Sequence, residues 1–180
     1  MKIEVKVGKN HARRYYFGGK FVAQAKLDAV VAAELRSKIV AHIEAQGIGV
    51  AQSGKFVVQI YSSADVINTR KQVIGRHSCA VTFAVDSVTA GLQLAACVLG
   101  LDEVKRRDGL CAAAIIDAET FYDPHKDNLG CGAVMVWANG AIQCRCAYGR
   151  LYDACCAEFG GTTQLAGKTI ARRTTNNEEE

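Results

Sequence analysis

An Asn139-Gly140 pair set between two apolar runs constrains this chain more than any other feature. Both central residues of a type I′ turn need φ > 0, and Asn-Gly tolerates that geometry, so the pair predicts a hairpin. Gly130 to Trp137 runs into it, and Ala141 to Tyr148 leaves it in clean alternation. A third apolar run, Leu110 to Ile116, precedes both and ends on Asp117. The stretch reads as three consecutive strands, the first delivering a carboxylate to one end of a sheet. An acidic and polar loop follows, with Glu119, Asp123, His125 and Asp127 around the chain's one proline, Pro124. Those ligand-type residues make the loop a candidate for metal binding or small-molecule chemistry in its own right.

Upstream, the periodicity alternates between strand and helix. KIEVKV (2–7) carries the period-2 signature of a half-buried strand. Lys9 to Phe17, KNHARRYYF, is basic with two tyrosines. It reads either as an exposed turn into a strand over Gly18 to Gln24, or as a nucleic-acid contact. In the second case Lys9, Arg13 and Arg14 meet phosphates and the rings stack on bases. From Ala25 to Gln46, Leu27, Val31, Leu35, Ile39 and Ile43 recur at i+4, which predicts a helix stopped by Gly47. Glu34 falls at the margin of that stripe. Strands are expected over Gly54 to Tyr61 and Ala80 to Val85. Between the last strand and Gly100, Asp86-Ser87 offers an N-cap to a helix with Val88, Leu92, Ala95, Ala96 and Leu99 on one face. A short helix fits Leu151 to Phe159, and the end of the chain is strongly charged.

The expected fold is therefore mixed α/β: a single domain over 1–171 with a mixed, partly antiparallel sheet and helices packed on it, followed by a charged tail over 172–180. A chain of 180 residues is long enough to bury a core without staples. Its 49% apolar and 22% charged content are ordinary for a soluble protein. No run approaches the roughly 20 apolar residues of a membrane span, and the charged, alternating N-terminus is no signal peptide. The expectation is a protein of the cytoplasm or another reducing intracellular compartment, without a membrane partner, whose eight cysteines remain thiols. Five of them come late, at Cys131, Cys144, Cys146, Cys155 and Cys156, but no Cys-x-x-Cys pair exists. Zinc sites usually pair ligands two to four residues apart, so the cysteines read as core residues and zinc is not expected. The net charge of +4 permits a polyanionic partner without requiring one.

From Ala114 onward the chain resembles the opening of a ribonuclease H-like domain. AIID ends a first strand on Asp117, the loop holds Pro124, GCGAVMVW and AIQCRCAY are the second and third strands, and TTNNEEE resembles the family's Asn-Glu motif. The resemblance covers about a third of the chain. It implies a permuted or degenerate order, because the family's later strand would lie upstream in KFVVQIYSSADVIN, with Ser62 where the family has a metal-binding Asp. Asp86 is the alternative, and His77 with Asp86 is similar to the family's last His…Asp element. The activity so implied is divalent-metal nuclease chemistry on RNA or an RNA–DNA hybrid. Asp117, Asp86 and Glu178 would bind Mg²⁺ or Mn²⁺, His77 would shuttle a proton, and Asn176 and Asn177 would touch the nucleic acid. Such chemistry needs carboxylates converging on two ions about 4 Å apart. The Ser62 departure favours the alternative: a non-enzymatic binding or assembly subunit on a similar scaffold, expected to form a homo-oligomer or hold a partner.

Overall fold

The computed structural model describes residues 1–104, 111–122, 132–146, 149–159 and 169–172. Its centre is a long hairpin of β4 (Phe56–Ile67) and β5 (Val73–Val85), paired antiparallel along its whole length with one bulge at Val66/Ile67. Because β5 occupies one edge of β4, two other strands share the opposite edge end to end. β6 (Cys111–Asp117) pairs antiparallel with Phe56–Ile60, and β1 (Lys2–Val7) pairs parallel with Asp65–Ile67. From β1 the sheet extends through β2 (Arg13–Phe17) and β3 (Lys20–Val22); from β6 it extends through β7 (Val134–Trp137), β8 (Ala141–Cys144) and β9 (Thr169–Arg172). One parallel pairing among antiparallel ones makes the sheet mixed, as the patterning predicts.

Alternation decides which face is covered. Phe56, Val58 and Ile60 of β4 sit level with Val85, Phe83 and Val81 of β5, and all six are buried. Three helices cover this face: α1 (Leu27–Ala45), α2 (Val88–Val98) and α4 (Arg150–Phe159). The i+4 stripe of α1 is the buried one. Leu27 and Val31 pack with Ile3, Val22 and Ala64, while Leu35, Ile39 and Ile43 join the main core, and Glu34 is exposed. Arg36 leans from α1 to the edge strand β5, donating to the Thr82 carbonyl at 2.6 Å with its guanidinium 4.6 Å from the Phe83 ring centre. That contact occupies one of the backbone acceptors an edge strand would otherwise leave open.

Several local expectations change. The basic Arg13–Phe17 segment is a strand, not a turn, and reverses into β3 through Gly18-Gly19, both at positive φ (56° and 79°). β5 begins at Val73 rather than Ala80, because pairing with β4 continues through polar residues that carry no apolar alternation. On α2 the buried positions are Val88, Gly91, Leu94, Ala95 and Val98, so Leu92, Ala96 and Leu99 turn partly outward; Ser87 is the N-cap, accepting from Ala90 N–H at 3.1 Å. The Asn139-Gly140 hairpin forms, but as a three-residue loop. Val136 pairs with Ile142, only Gly140 takes a positive φ (81°), and Asn139 Oδ1 accepts from Ala141 N–H at 3.0 Å.

The core end of β5 is closed by backbone-on-backbone contact at Gly54, where a Cβ would stand 2.4 Å from the Val85 carbonyl oxygen. Gly54→Ala is expected to cost about 1–3 kcal/mol by overpacking. Gly49→Ala, at a site with nothing within 4 Å, should stay within about 0.5 kcal/mol. Urea denaturation of the two variants checks this.

Candidate functional site

Asp117 closes β6, and its side chain is buried at 7% exposure. Both carboxylate oxygens are engaged. Oδ2 accepts from Arg150 Nε at 2.8 Å, and Oδ1 accepts from Arg150 Nη2 at 2.9 Å, a two-point fork. Oδ1 also accepts from the backbone N–H groups of Glu119 (2.9 Å) and Thr120 (3.4 Å), which makes Asp117 the N-cap of the short α3 (Ala118–Tyr122). Arg150, the first residue of α4, reaches further, to the Lys55 carbonyl at 3.2 Å and Glu119 Oε1 at 3.4 Å. Burial works against the Asp117 charge. The Arg150 hydrogen bonds and the two backbone donors outweigh it, and the carboxyl is held below its ordinary pKa.

Among the described residues, the others expected at a metal centre do not gather around this carboxylate. Asp117 and Val85 pair with the same residue, Phe56, from opposite sides, so the following Asp86 lies at the same end of the sheet but two strands across. At a strand spacing of about 4.8 Å, that is roughly 10 Å. Asp86 is exposed. His77 lies far along β5, opposite Ala64, with Nε2 at 2.8 Å from Asp28 Oδ1 on α1 but not aligned for a hydrogen bond. Ser62 is six residues along β4 from Phe56, about 20 Å away. Its buried hydroxyl donates to the Glu103 carbonyl, where a carboxylate would face oxygen against oxygen. Glu178, Asn176 and Asn177 lie outside the described residues, as do Asp123, His125 and Asp127.

A different cluster forms where α4 meets β8. Cys144 and Cys146, with Arg145 between them, point to the same side, and Cys155 faces them from the second turn of α4. The three sulfurs lie within 4.8 Å of one another, each at 0% exposure. Hydrogen bonds from the Cys146 and Cys155 thiols pull Cys144 down to about 3. Contacts with Cys144 and Cys155, with burial, raise Cys146, and the Cys144 contact, with burial, pushes Cys155 up to about 12 against a lowering contact from Cys146. The cysteines are core residues, as expected from their type, but they also converge. No spacing motif announces this, since the third ligand comes from a separate element. Cys131 lies outside the described residues.

On the opposite face, away from the helices, β1–β3 carry a second constellation. Glu4 pairs with Tyr16, Lys6 with Arg14, and Tyr16 with Phe21. Lys6 Nζ sits 4.5 Å from the Tyr16 ring centre, and the Tyr16 and Phe21 rings meet edge-on at 6.0 Å. Phe21 is 62% exposed. Lys71 closes on Glu4 at 2.8 Å, and Arg76 lies 3.7 Å from Asp65. Lys9 and Arg13 are exposed at the end of the β1–β2 hairpin, while Arg14 lies on the ring-bearing face itself.

Compared with protein-family models, curated proteins and solved structures, the chain matches none. Among the described residues, no helix is long and apolar enough to cross a membrane.

Asp117→Asn keeps the cap of α3 and removes the charge facing Arg150. Breaking a buried pair costs about 3–5 kcal/mol, and the 41% exposure of the Arg150 side chain reduces this to about 1–3 kcal/mol at neutral pH. Because the folded-state pKa lies below the unfolded value of about 3.9, the ionic contribution is full above that value and is lost as pH falls through the folded one. Urea denaturation should therefore show the gap between wild type and Asp117→Asn at about pH 7 narrowing towards about pH 3. A gap independent of pH would contradict this.

Proposed function

We propose that the protein is a non-catalytic binding subunit that takes single-stranded RNA on the open face of β1–β3. The observation that carries the reading is the register of Lys6, Arg14, Tyr16 and Phe21, which sets two rings and two cations side by side on a face that none of the described helices covers. Rings on a sheet accept unstacked bases, and cations beside them follow the backbone phosphates. Lys2, Lys6, Arg14, Lys71 and Arg76 share this face with the carboxylates Glu4 and Asp65 among the described residues. Both of those acids are already neutralised by neighbouring cations. Lys9 adds a cation at the hairpin end, whereas Arg13, opposite Val7, turns to the other side of the strands.

The catalytic alternative asks Asp117 to bind Mg²⁺ or Mn²⁺. A guanidinium on both carboxylate oxygens stands where a cation would have to sit, which supports the non-catalytic reading over the nuclease one.

Fluorescence anisotropy with a labelled oligouridylate tests the proposal. Tyr16→Ala and Phe21→Ala are each expected to weaken binding about fivefold or more, as loss of one stacked base does. Lys6→Gln should flatten the salt dependence by about 0.7 in log–log slope. Tyr122→Ala, an exposed ring on α3 rather than on this face, should leave binding unchanged. Binding indifferent to Tyr16 and Phe21 would overturn the reading. So would cleavage of an RNA–DNA hybrid with Mn²⁺ that Asp117→Asn abolishes.

A further inference from the structure

From the convergence of Cys144, Cys146 and Cys155, we infer that the protein carries a trithiolate site for one thiophilic cation, zinc or monovalent copper, which fastens α4 to β8. This is independent of the RNA-binding reading.

The geometry is close to that of a ligated site. With a metal–sulfur distance of about 2.3 Å and tetrahedral angles, bound sulfurs stand about 3.8 Å apart. The three here are already within 4.8 Å of one another, so ligation needs shifts of about 1 Å or less. Two ligands come from one strand and its extension, alternating so that both face the helix, and the third comes from that helix. Core packing alone asks only for three small apolar groups. It does not require three sulfurs, the softest side-chain donors, at one point.

The scaffold that aims these sulfurs is stiff. Arg145, between the two strand cysteines, donates its N–H to the Ala133 carbonyl at 2.9 Å. Gly132 lies so close to the same segment that a Cβ there would stand 2.1 Å from the Arg145 carbonyl oxygen. Cys155 is fixed by α4, whose first residue is clamped by Asp117. Ligation would replace the thiol protons, releasing them to solvent, and would leave the ion dry and held by residues from two elements. Three thiolates complete a trigonal copper(I) site, whereas zinc takes a fourth, small ligand. Nothing about the site suits magnesium, which takes oxygen ligands.

The test starts with the full chain, reduced and metal-free, dialysed against Zn²⁺ or Cu⁺ at equilibrium with a competing chelator and assayed by elemental analysis. The expected result is one equivalent of one of these ions per chain and a raised melting temperature. Cys144→Ala and Cys155→Ser should lose that equivalent, while Cys97→Ser, outside the cluster, should keep it. If the cluster variants fail to fold, wild type loaded with Co²⁺ still decides the matter, because sulfur ligation gives thiolate-to-cobalt charge-transfer absorption. Overturning results are no bound equivalent of either ion, binding unchanged in folded Cys155→Ser, no charge-transfer bands with Co²⁺, or a disulfide within the trio in protein isolated without reductant.

Discussion

One guanidinium on one buried carboxylate ties α4 to the sheet. Arg150 opens α4 and Asp117 closes β6. Their two-point contact fixes where the helix starts relative to the sheet, and further bonds from Arg150 to Lys55 and Glu119 extend the clamp to β4 and α3. Asp117 in turn caps α3. A buried carboxylate without such partners would be costly, and here both oxygens accept from donors. The same clamp sets Cys155 in front of Cys144 and Cys146. The residue that most resembles a catalytic ligand in the sequence is thus, in the fold, a fastening point.

The sheet divides its labour by face. On the helix side, α1, α2 and α4 bury Phe56, Val58, Ile60 and their neighbours. On the open side, the alternation that buries Ile3, Val5 and Val22 turns Lys6, Arg14, the half-buried Tyr16 and Phe21 the other way. Period 2 makes the two outcomes inseparable: a strand that contributes one apolar face to the core must present its other residues to whatever lies outside. The proposed binding surface is therefore a property of strands, and the proposed cysteine site a property of the sheet–helix seam. The two can be altered separately.

Much of the architecture was legible because it is local. The i+4 stripe of α1 is read directly from Leu27 to Ile43, and the strands at β1, β6 and β8 follow from alternation or short apolar runs. The first half of β5 was not legible. Arg76, His77 and Ser78 carry no strand signal, and only pairing with β4 extends the strand through them. The site shows the same limit more sharply. That Asp117 ends a strand can be read from AIID, but its partner lies 33 residues away and nothing in GRLYD marks Arg150 as the answering cation. Burial of the carboxylate was the missing premise, since a buried acid demands a donor. The cysteines were visible as residues and their spacing argued against zinc. Their convergence depends on how α4 docks, which spacing does not encode.

The Asp117–Arg150 contact anchors α4. Native-state hydrogen exchange on Arg150→Met tests it most directly. The amides of α4 should lose protection while those of the β4–β5 hairpin keep theirs, because only the helix depends on the clamp. Unchanged protection across α4 would contradict the account.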